Sequence, residues 1–177
     1  MSPEDKLRRF EELIAPNLAS AYNLARWLVG TREDAEDIVQ EACLRAYASL
    51  HHLRGDDARP WLLAIVRNAS MTWLKRTRGG LRETELDKSC ADQFPADGDP
   101  ESLLLDTRDR QRVQSAVASL PSEFREAIVL RELEECSYKE IAGIAGIPIG
   151  TVMSRLSRAR TSLRETLSSQ NRKVALR

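Results

Sequence analysis

The stretch SYKEIAGIAGIPIGTVMSRLSRARTSLRE, residues 137–165, carries the signals for one helix, a tight turn and a second helix. Ser137 and Glu140 have the spacing of a capping box, in which each side chain accepts a hydrogen bond from the backbone N–H of the other residue. Gly146 is suited to the positive φ that ends a helix, and Pro148 cannot continue one because it lacks a backbone N–H. These signals predict two helices that meet at a sharp turn.

The second helix, predicted to open at Gly150 and Thr151, has one buried face and one open face. Its apolar residues recur at intervals of four and three, so they predict a single buried stripe: Val152, Leu156, Ala159 and Leu163. The open face carries Met153, Ser154, Ser157, Arg158 and Thr161, with Arg155, Arg160 and Arg164 at its edges. The small Ala142 and the turn at Gly146 allow the two helices to approach closely, as a helix-turn-helix requires.

Two interpretations fit this helix pair: a DNA-binding helix-turn-helix, and a helical hairpin whose arginines form a solvated face. The charges favour DNA binding, since residues 141–177 contain seven Lys or Arg and one acid, Glu165. The formal net charge of the chain is zero, but the charges are segregated. The net values are −3 for residues 1–60, +5 for 61–82, −7 for 83–109 and +5 for 110–177. A local field attracts a charged partner even where the total charge is zero.

The N-terminal part is predicted to be helical over residues 4–29, with a kink or a new helix start at Pro16. A second helix is predicted over about 32–50, opened by a capping box from Thr31 to Asp34. Its apolar residues form one stripe, on which we expect Cys43 to be buried.

The opposite face of this second helix is rich in acids and amides: Glu33, Asp34, Glu36, Asp37, Gln40 and Glu41. Acids in the first turn interact favourably with the positive end of the helix dipole, which accounts for Glu33 and Asp34. Gln40 and Glu41 lie two turns further on, beyond the reach of that effect. This surface is therefore either a solvated face or a binding site for a basic protein.

The segment RPWLLAIVRNASMTWLKRTR, residues 59–78, is predicted to form a further helix with Pro60 in its first turn. Its predicted buried stripe is Leu62, Ile65, Val66, Ala69 and Trp73. The remaining surface has no acid and offers Arg67, Asn68, Met71, Thr72, Lys75, Arg76 and Arg78. Such side chains near Trp61 suit single-stranded nucleic acid, because bases pack on apolar surface while cations hold phosphates. An ordinary amphipathic helix with a basic end is the alternative.

The predicted fold is all-α, with two small helical domains joined by a flexible acidic linker. The first domain covers residues 1–78, and the linker covers 79–105, which is polar, acidic and twice interrupted by proline. The second domain covers residues 106–170 and carries the helix-turn-helix, and 171–177 form a basic tail. The helix after Pro121 has the predicted inner positions Phe124, Ala127, Ile128, Leu130 and Leu133.

Other functional classes leave no pattern in the sequence. Cys43, Cys90 and Cys136 are odd in number and far apart, which favours neither a disulfide framework nor a zinc site. His51 and His52 have no carboxylate or thiol at metal-ligand spacing beside them. We therefore predict no catalytic residue, no metal and no cofactor. The charged N-terminus lacks the apolar core of a signal peptide, which favours a cytoplasmic protein without membrane insertion.

Three stretches resemble the extracytoplasmic function (ECF) class of bacterial sigma factors, in the sigma-70 family. DAEDIVQEACLRAY (34–47) is similar to the helix that binds core RNA polymerase. RPWLLAIVRNASMTWLKRTR (59–78) is similar to the helix that melts and reads the −10 promoter element. LPSEFREAIVLRELEECSYKEIAGIAGIPIGTVMSRLSRAR (120–160) resembles the domain that reads the −35 element, and it is the most specific of the three.

The resemblance implies three sets of functional residues. Core RNA polymerase would be bound by Asp34, Asp37, Gln40 and Glu41, which favours the binding site over the solvated face. Single-stranded −10 DNA would be recognised by Leu53, Arg54, Trp61, Arg67, Asn68, Met71, Thr72, Lys75 and Arg76. Duplex −35 DNA would be recognised by Gly150, Thr151, Met153, Ser154, Arg155, Ser157 and Arg158.

Within the −10 set, the resemblance implies that Asn68 helps to hold a flipped base, with the loop 53–57 forming part of its pocket. Trp61 would lie at the melting junction, and the cations would face phosphate. Many relatives have a basic residue where this chain has Met153, which can touch a thymine methyl but cannot donate a hydrogen bond. Met71 likewise stands where a polar or charged residue is common.

The predicted function is that of an alternative sigma factor. Its implied partners are core RNA polymerase, promoter DNA and an anti-sigma factor. The alternative is a polymerase-independent helix-turn-helix regulator, which usually needs a dimer or a sensing domain. The sequence shows neither of these features, and the basic helix 59–78 would have no role in such a protein.

Overall fold

The computed structural model describes residues 2–78 and 103–175, and every regular element in these two ranges is helical. The linker predicted at 79–105 falls largely outside the described residues, as does Cys90. Within the described ranges, no helix is long and apolar enough to cross a membrane.

The N-terminal domain consists of helices α1 (Pro3–Ile14), α2 (Leu18–Val29), α3 (Arg32–Ser49) and α4 (Arg59–Arg78). Short 3₁₀ turns follow α1 at Ala15–Asn17 and α3 at Leu50–His52. Pro16 lies in the first of these turns, so the predicted break is confirmed; its missing N–H cannot extend the α-helical ladder. The residue after α2, Gly30, has a φ of 91°, which side chains rarely adopt.

The cap of α3 differs from the predicted capping box. The Thr31 side chain accepts a hydrogen bond from the Asp34 N–H (3.2 Å), as predicted. The Asp34 carboxylate, however, accepts from the Thr31 hydroxyl. Aspartate is one methylene shorter than the glutamate of a capping box, so its carboxylate closes on the hydroxyl and not on the backbone.

The C-terminal domain consists of α5 (Leu103–Ala118), α6 (Ser122–Ile128), α7 (Tyr138–Ala145) and α8 (Ile149–Ala175). Two predicted boundaries are corrected. Helix α5 begins at Leu103, inside the segment predicted to be linker. Helix α8 continues to Ala175, through most of the segment predicted to be a basic tail.

A π-helical turn at Val129–Leu133 interrupts the helix predicted after Pro121. The Glu134 N–H donates to the Val129 carbonyl (3.0 Å), five residues back. This wider turn takes up one extra residue and rotates the side chains that follow. Leu133 was predicted to face inward and is 48% exposed, while Glu134 is buried in its place.

The helix-turn-helix is confirmed. The Ser137 hydroxyl accepts from the Glu140 N–H (3.2 Å), and the Glu140 carboxylate accepts from the Ser137 N–H (2.7 Å), so the capping box is complete. Gly146 ends α7 with a φ of 66° in the left-handed region, where other residues are strained. Helix α8 starts one residue before the predicted Gly150, because Pro148 supplies the first carbonyl of its ladder.

Substitution of Ser137 by Ala is expected to lower the free energy of unfolding, measured by urea unfolding, by about 1 kcal/mol, the usual contribution of an N-cap.

The backbone hydrogen bond from Ser137, followed by its side-chain bond, lowers the pKa of Glu140 below its ordinary value. The capping-box contribution is therefore complete above the ordinary glutamate pKa and is lost as the pH falls through the lowered pKa of the folded state. Urea unfolding at neutral pH and at a pH below the lowered pKa of Glu140 measures this loss of stability. In Glu140→Gln, which cannot titrate, the acid-dependent part should disappear; if it persists, Glu140 is not its source.

The two domains share one hydrophobic core. Helix α2 contacts α6, and α4 contacts α7, and the buried residues of both domains form a single cluster. The free thiol of Cys136 is fully buried in it, whereas Cys43, predicted to be buried, is only partly buried at its edge. Burial raises the pKa of both thiols, so neither is activated as a nucleophile.

Candidate nucleic-acid interface

Helix α8 presents its predicted recognition face to solvent. Val152, Leu156 and Ala159 are buried, as predicted, and Leu163 is only partly buried. The exposed members of the predicted −35 set are Gly150, Met153, Ser154, Ser157 and Arg158. Met153 is 54% exposed, so this face presents an apolar thioether to solvent.

Two further members of the predicted −35 set are engaged within the domain. The Arg155 guanidinium lies 3.6 Å from the Glu123 carboxylate of α6, which draws it towards the protein. The Thr151 N–H donates to the Pro148 carbonyl (3.0 Å) and closes the first turn of α8. The backbone N–H of Thr151 is therefore less available to a DNA phosphate than that of Gly150, the other residue of the set at this end of α8.

Helix α4 has an open strip and two covered flanks. The strip contains the −10 residues Trp61, Asn68, Met71, Thr72, Lys75 and Arg76, which are exposed or partly exposed. The predicted buried stripe holds at Leu62, Val66 and Ala69, but Ile65 and Trp73 are only partly buried. Leu63, Ser70 and Leu74 are buried instead, because the C-terminal domain covers a second flank of the helix.

The loop before α4 places its two predicted site residues differently. Arg54 is exposed beside Gly55, whose φ is 86°. Leu53 is buried in the hydrophobic core, so it supports the loop from within and does not present its side chain to a ligand.

Arg67, predicted to face phosphate, is bound by a carboxylate of the other domain. Its guanidinium donates to both oxygens of Glu126, at 2.6 Å from Nε and 3.3 Å from Nη2. The Glu126 side chain is only 1% exposed. The burial of Glu126 was not predicted from the sequence. A signal was present, because Glu126 lies four residues before Leu130 and so on the same, inward side of the helix, where a carboxylate needs a cationic partner.

The acidic face of α3 is open at Asp37, Gln40 and Glu41, all of which are exposed. Asp34 is partly buried and engaged by Thr31, so it is the least available of the predicted core-binding residues. An apolar residue belongs to the same surface: Leu44 is 73% exposed, the highest value among the large hydrophobic side chains of the described residues. It lies four residues after Gln40, on the same side of the helix.

Two apolar grooves accompany these faces. The first, about 660 Å³, runs between α1 and α3 and is lined by Leu7, Phe10, Leu18, Val39, Gln40, Cys43, Leu44 and Tyr47. The second, about 690 Å³, lies where α2 of one domain meets the C-terminal domain. Its apolar lining is Trp27, Val113, Val117, Ile128, Leu133 and Leu163. Neither groove was predicted, because each forms only where separate helices meet.

Family models match both domains. The Sigma-70 region 2 model matches residues 13–79, and the Sigma-70 region 4 model matches residues 110–163. The N-terminal domain is thus a sigma region 2 domain, and the helix-turn-helix domain is a sigma region 4 domain.

Two relatives indicate which class of the sigma-70 family the chain resembles. The chain is 36% identical over 167 residues to ECF RNA polymerase sigma factor SigE of Mycolicibacterium smegmatis, covering 94% of this chain and 64% of that protein. It is 39% identical over 137 residues to the ECF RNA polymerase sigma-E factor of Escherichia coli K12, covering 73% of this chain and 72% of that protein. The chain belongs to the ECF RNA polymerase sigma factors of the sigma-70 family.

A solved structure shows the same arrangement of helices. It is the sigma factor RpoE of Bartonella quintana, in complex with the anti-sigma factor NepR. The two chains superpose with a TM-score of 0.72 and 28% identity, over 90% of this chain and 96% of that one.

Proposed function

We propose that the chain is a promoter-specificity subunit of RNA polymerase, with no catalytic activity of its own. The observation that carries the proposal is that three surfaces of different character lie on three helices of one chain. These are the acidic face of α3, the acid-free open strip of α4 and the open face of α8. A regulator that acts alone needs only the third surface, whereas core binding and strand separation require the other two. It would act where the polymerase is, in the cytoplasm.

At the −35 element, α8 would enter the major groove of duplex DNA. Arg158 is exposed and suited to a bidentate contact with a guanine, and Ser154 and Ser157 can donate to base edges. Met153 would contact a thymine methyl group. The N–H of Gly150 at the helix N-terminus would meet a phosphate.

At the −10 element, the open strip of α4 would bind the non-template strand. Asn68 would hold an extruded base, while Lys75 and Arg76 neutralise the phosphates beside it. Extruding a base costs a few kcal/mol, which favours a site that is already formed. Two bonds support such a site: the Asn68 amide oxygen accepts from Arg67 Nη1 (3.3 Å), and the hydroxyl of Thr72, on the same helix face, donates to the Asn68 backbone carbonyl (2.9 Å).

Core polymerase would bind the α3 face together with the first groove. Asp37 and Glu41 supply negative charge, and Leu44 and Phe10 supply an apolar surface beside it. A helix with basic residues on one side and apolar residues on the other complements both features.

An anti-sigma factor is a further proposed partner. The Bartonella quintana relative was solved in complex with one. The second groove suits an amphipathic helix, since Val113 and Leu133 are half-exposed apolar residues in it. Because Trp27 belongs to the N-terminal domain, a helix in this groove would contact both domains at once.

The decisive test is run-off transcription from a genomic promoter library, with purified core polymerase in the presence and absence of the chain. Start sites that depend on the chain and share two spaced elements would support the proposal. Tight binding of promoter duplex by the chain alone, without new start sites, would contradict it and indicate an independent regulator.

Substitution of Arg158 by Ala is expected to weaken discrimination at one −35 position by about 1–3 kcal/mol, the contribution of a bidentate arginine–guanine pair. Core binding should not change, since α3 lies in the other domain. Competitive transcription from promoters that differ at single −35 bases measures the effect. Arg164→Ala is the matched control, because Arg164 is also an exposed arginine of α8 but lies outside the predicted −35 set. An unchanged promoter preference in Arg158→Ala would remove that residue from the reading set.

A further inference from the structure

The C-terminal domain holds the α4 arginine Arg67 through a buried carboxylate. The Glu126 side chain is 1% exposed and the Arg67 side chain 20% exposed, and two N–H groups of Arg67 meet both carboxylate oxygens. A carboxylate so far removed from water remains charged only beside a cation that donates to it. The Glu126 carboxylate of the C-terminal domain is therefore stabilised in its buried position by the Arg67 guanidinium of the N-terminal domain.

A second contact of the same kind lies two helical turns away. Arg59 donates from Nη2 to the Glu134 carboxylate (2.9 Å) and to the Glu134 backbone carbonyl (2.6 Å). The other oxygen of this buried carboxylate accepts from Asn23 Nδ2 (2.5 Å). In both contacts the acid belongs to the C-terminal domain and the donors belong to the N-terminal domain.

Neighbouring acids in the same segment behave differently. Glu123 lies close to Arg155 and Glu132 accepts from Arg160, so each has a cation of its own domain nearby, and both side chains are more than half exposed. Between Glu123 and Glu134, where every residue is described, the buried acids are the two that face the other domain, Glu126 and Glu134. Whether an acid of this segment is buried therefore depends on whether it faces the other domain, and not on its neighbours in the sequence.

The two arginines lie on one side of α4, next to its DNA-binding strip. The covered flank of the helix follows the spacing four, four, three and four: Arg59, Leu63, Arg67, Ser70 and Leu74. Arg67 stands at the edge between this flank and the strip that holds Asn68 and Lys75. The Nε and Nη2 groups of its guanidinium are bound by Glu126, and Nη1 donates to the Asn68 amide oxygen (3.3 Å), so a phosphate can bind this guanidinium bidentately only by displacing one of these acceptors.

We infer that Glu126 and Glu134 form an intramolecular lock that joins the two domains and withholds Arg67 from DNA. The inference rests on the proposed role of Arg67 as a phosphate contact. Opening the lock exchanges one anion for another, because carboxylate and phosphate oxygens both accept bidentate bonds from a guanidinium. Opening also exposes to water the apolar core that the two domains share, so the exchange is favourable only when core polymerase and DNA supply new contacts. Free chain is thereby kept from binding single-stranded DNA unproductively.

Glu126→Gln in the full chain tests the lock, since it removes one charge and keeps the shape of the side chain. Two quantities are measured on the free protein. The first is the radius of gyration from small-angle X-ray scattering. The second is the affinity for a fluorescent single-stranded oligonucleotide carrying a −10 element mapped by run-off transcription. We expect a larger radius and an affinity raised about tenfold, the size of one charge-assisted contact.

Glu132→Gln is the matched control, because it removes the same charge from the same segment but its partner Arg160 lies within its own domain. Its radius and affinity should equal those of the wild type. Equal values in Glu126→Gln, with wild-type chain active in transcription, would overturn the lock and leave the proposed function intact. Absence of chain-dependent transcripts with the wild type would overturn the proposed function and the DNA part of the lock together.

Should Glu126→Gln fail to fold, Glu134→Gln tests the same lock at its second contact. There too, an unchanged radius and affinity would overturn the inference. An increase in both, absent in Glu132→Gln, would support it.

Discussion

Asp37→Arg combined with Glu41→Arg is expected to abolish the association of the chain with core RNA polymerase. The two exposed acids lie one helical turn apart on α3, on the face that is proposed to bind core polymerase. Placing like charges against each other across an interface costs several kcal/mol, so the Kd should rise about 100-fold or more. The helix should persist, since the change breaks only the exposed Glu41–Arg45 pair, and such pairs contribute at most about 1 kcal/mol.

Binding of the purified double variant to immobilised core polymerase measures this effect, and circular dichroism confirms that the helices are intact. Asp109→Arg with Glu165→Arg is the matched control, because it makes the same change in charge at exposed positions of the other domain and breaks one surface pair, Asp109–Arg112. The control should bind as the wild type does. Co-purification of the α3 variant with core would mean that the acidic face is only solvated.

Leu156→Ala is expected to lower the free energy of unfolding by about 2–5 kcal/mol, the range for a buried leucine that leaves a cavity. Leu156 is fully buried in the stripe that joins α8 to the rest of its domain. Since a whole domain has only about 5–15 kcal/mol of stability, the loss should leave the helix-turn-helix partly unfolded near physiological temperature. Thermal unfolding measures the loss directly, and transcription from promoters that depend on the −35 element should fall with it.

Met153→Ala, compared with Leu156→Ala, distinguishes the contribution of α8 to packing from its contribution to DNA recognition. Met153 lies three residues before Leu156 but projects into solvent, so its removal should leave the unfolding temperature unchanged. Its effect should be confined to promoter choice, through the lost contact with a thymine methyl group. A drop in stability equal to that of Leu156→Ala would show that the two faces of α8 are not separated as described.

Sequence reasoning succeeded where one element is determined by its own residues. The capping box at Ser137, the left-handed Gly146 and the break at Pro16 were all predicted, because each depends on hydrogen bonds within a few residues. The buried stripe of α8 was predicted at Val152, Leu156 and Ala159 for the same reason, since helical periodicity places those side chains on one side.

The errors lie where a local pattern is altered by a neighbour or by an irregular turn. Leu133 was assigned to the core by a period of 3.6 residues, which the π turn at Val129–Leu133 interrupts. Ile65 and Trp73 were assigned to a single stripe of α4, which has two covered flanks once the C-terminal domain packs against it. Cys43 was assigned to the core and instead lines a groove between α1 and α3.

The amino-acid sequence alone predicts most of the helices, the caps at Ser137 and Gly146, the helix-turn-helix and the segregation of charge among three helices. These properties depend on residues that are close together in the chain. Tertiary structure alone decided which acids are buried and what holds them. Glu126 meets Arg67 across 59 residues and Glu134 meets Arg59 across 75, and no local pattern relates residues so far apart. The physical reason is that a buried charge needs a partner of opposite sign, and only the packing of one domain on the other brings that partner within hydrogen-bonding distance.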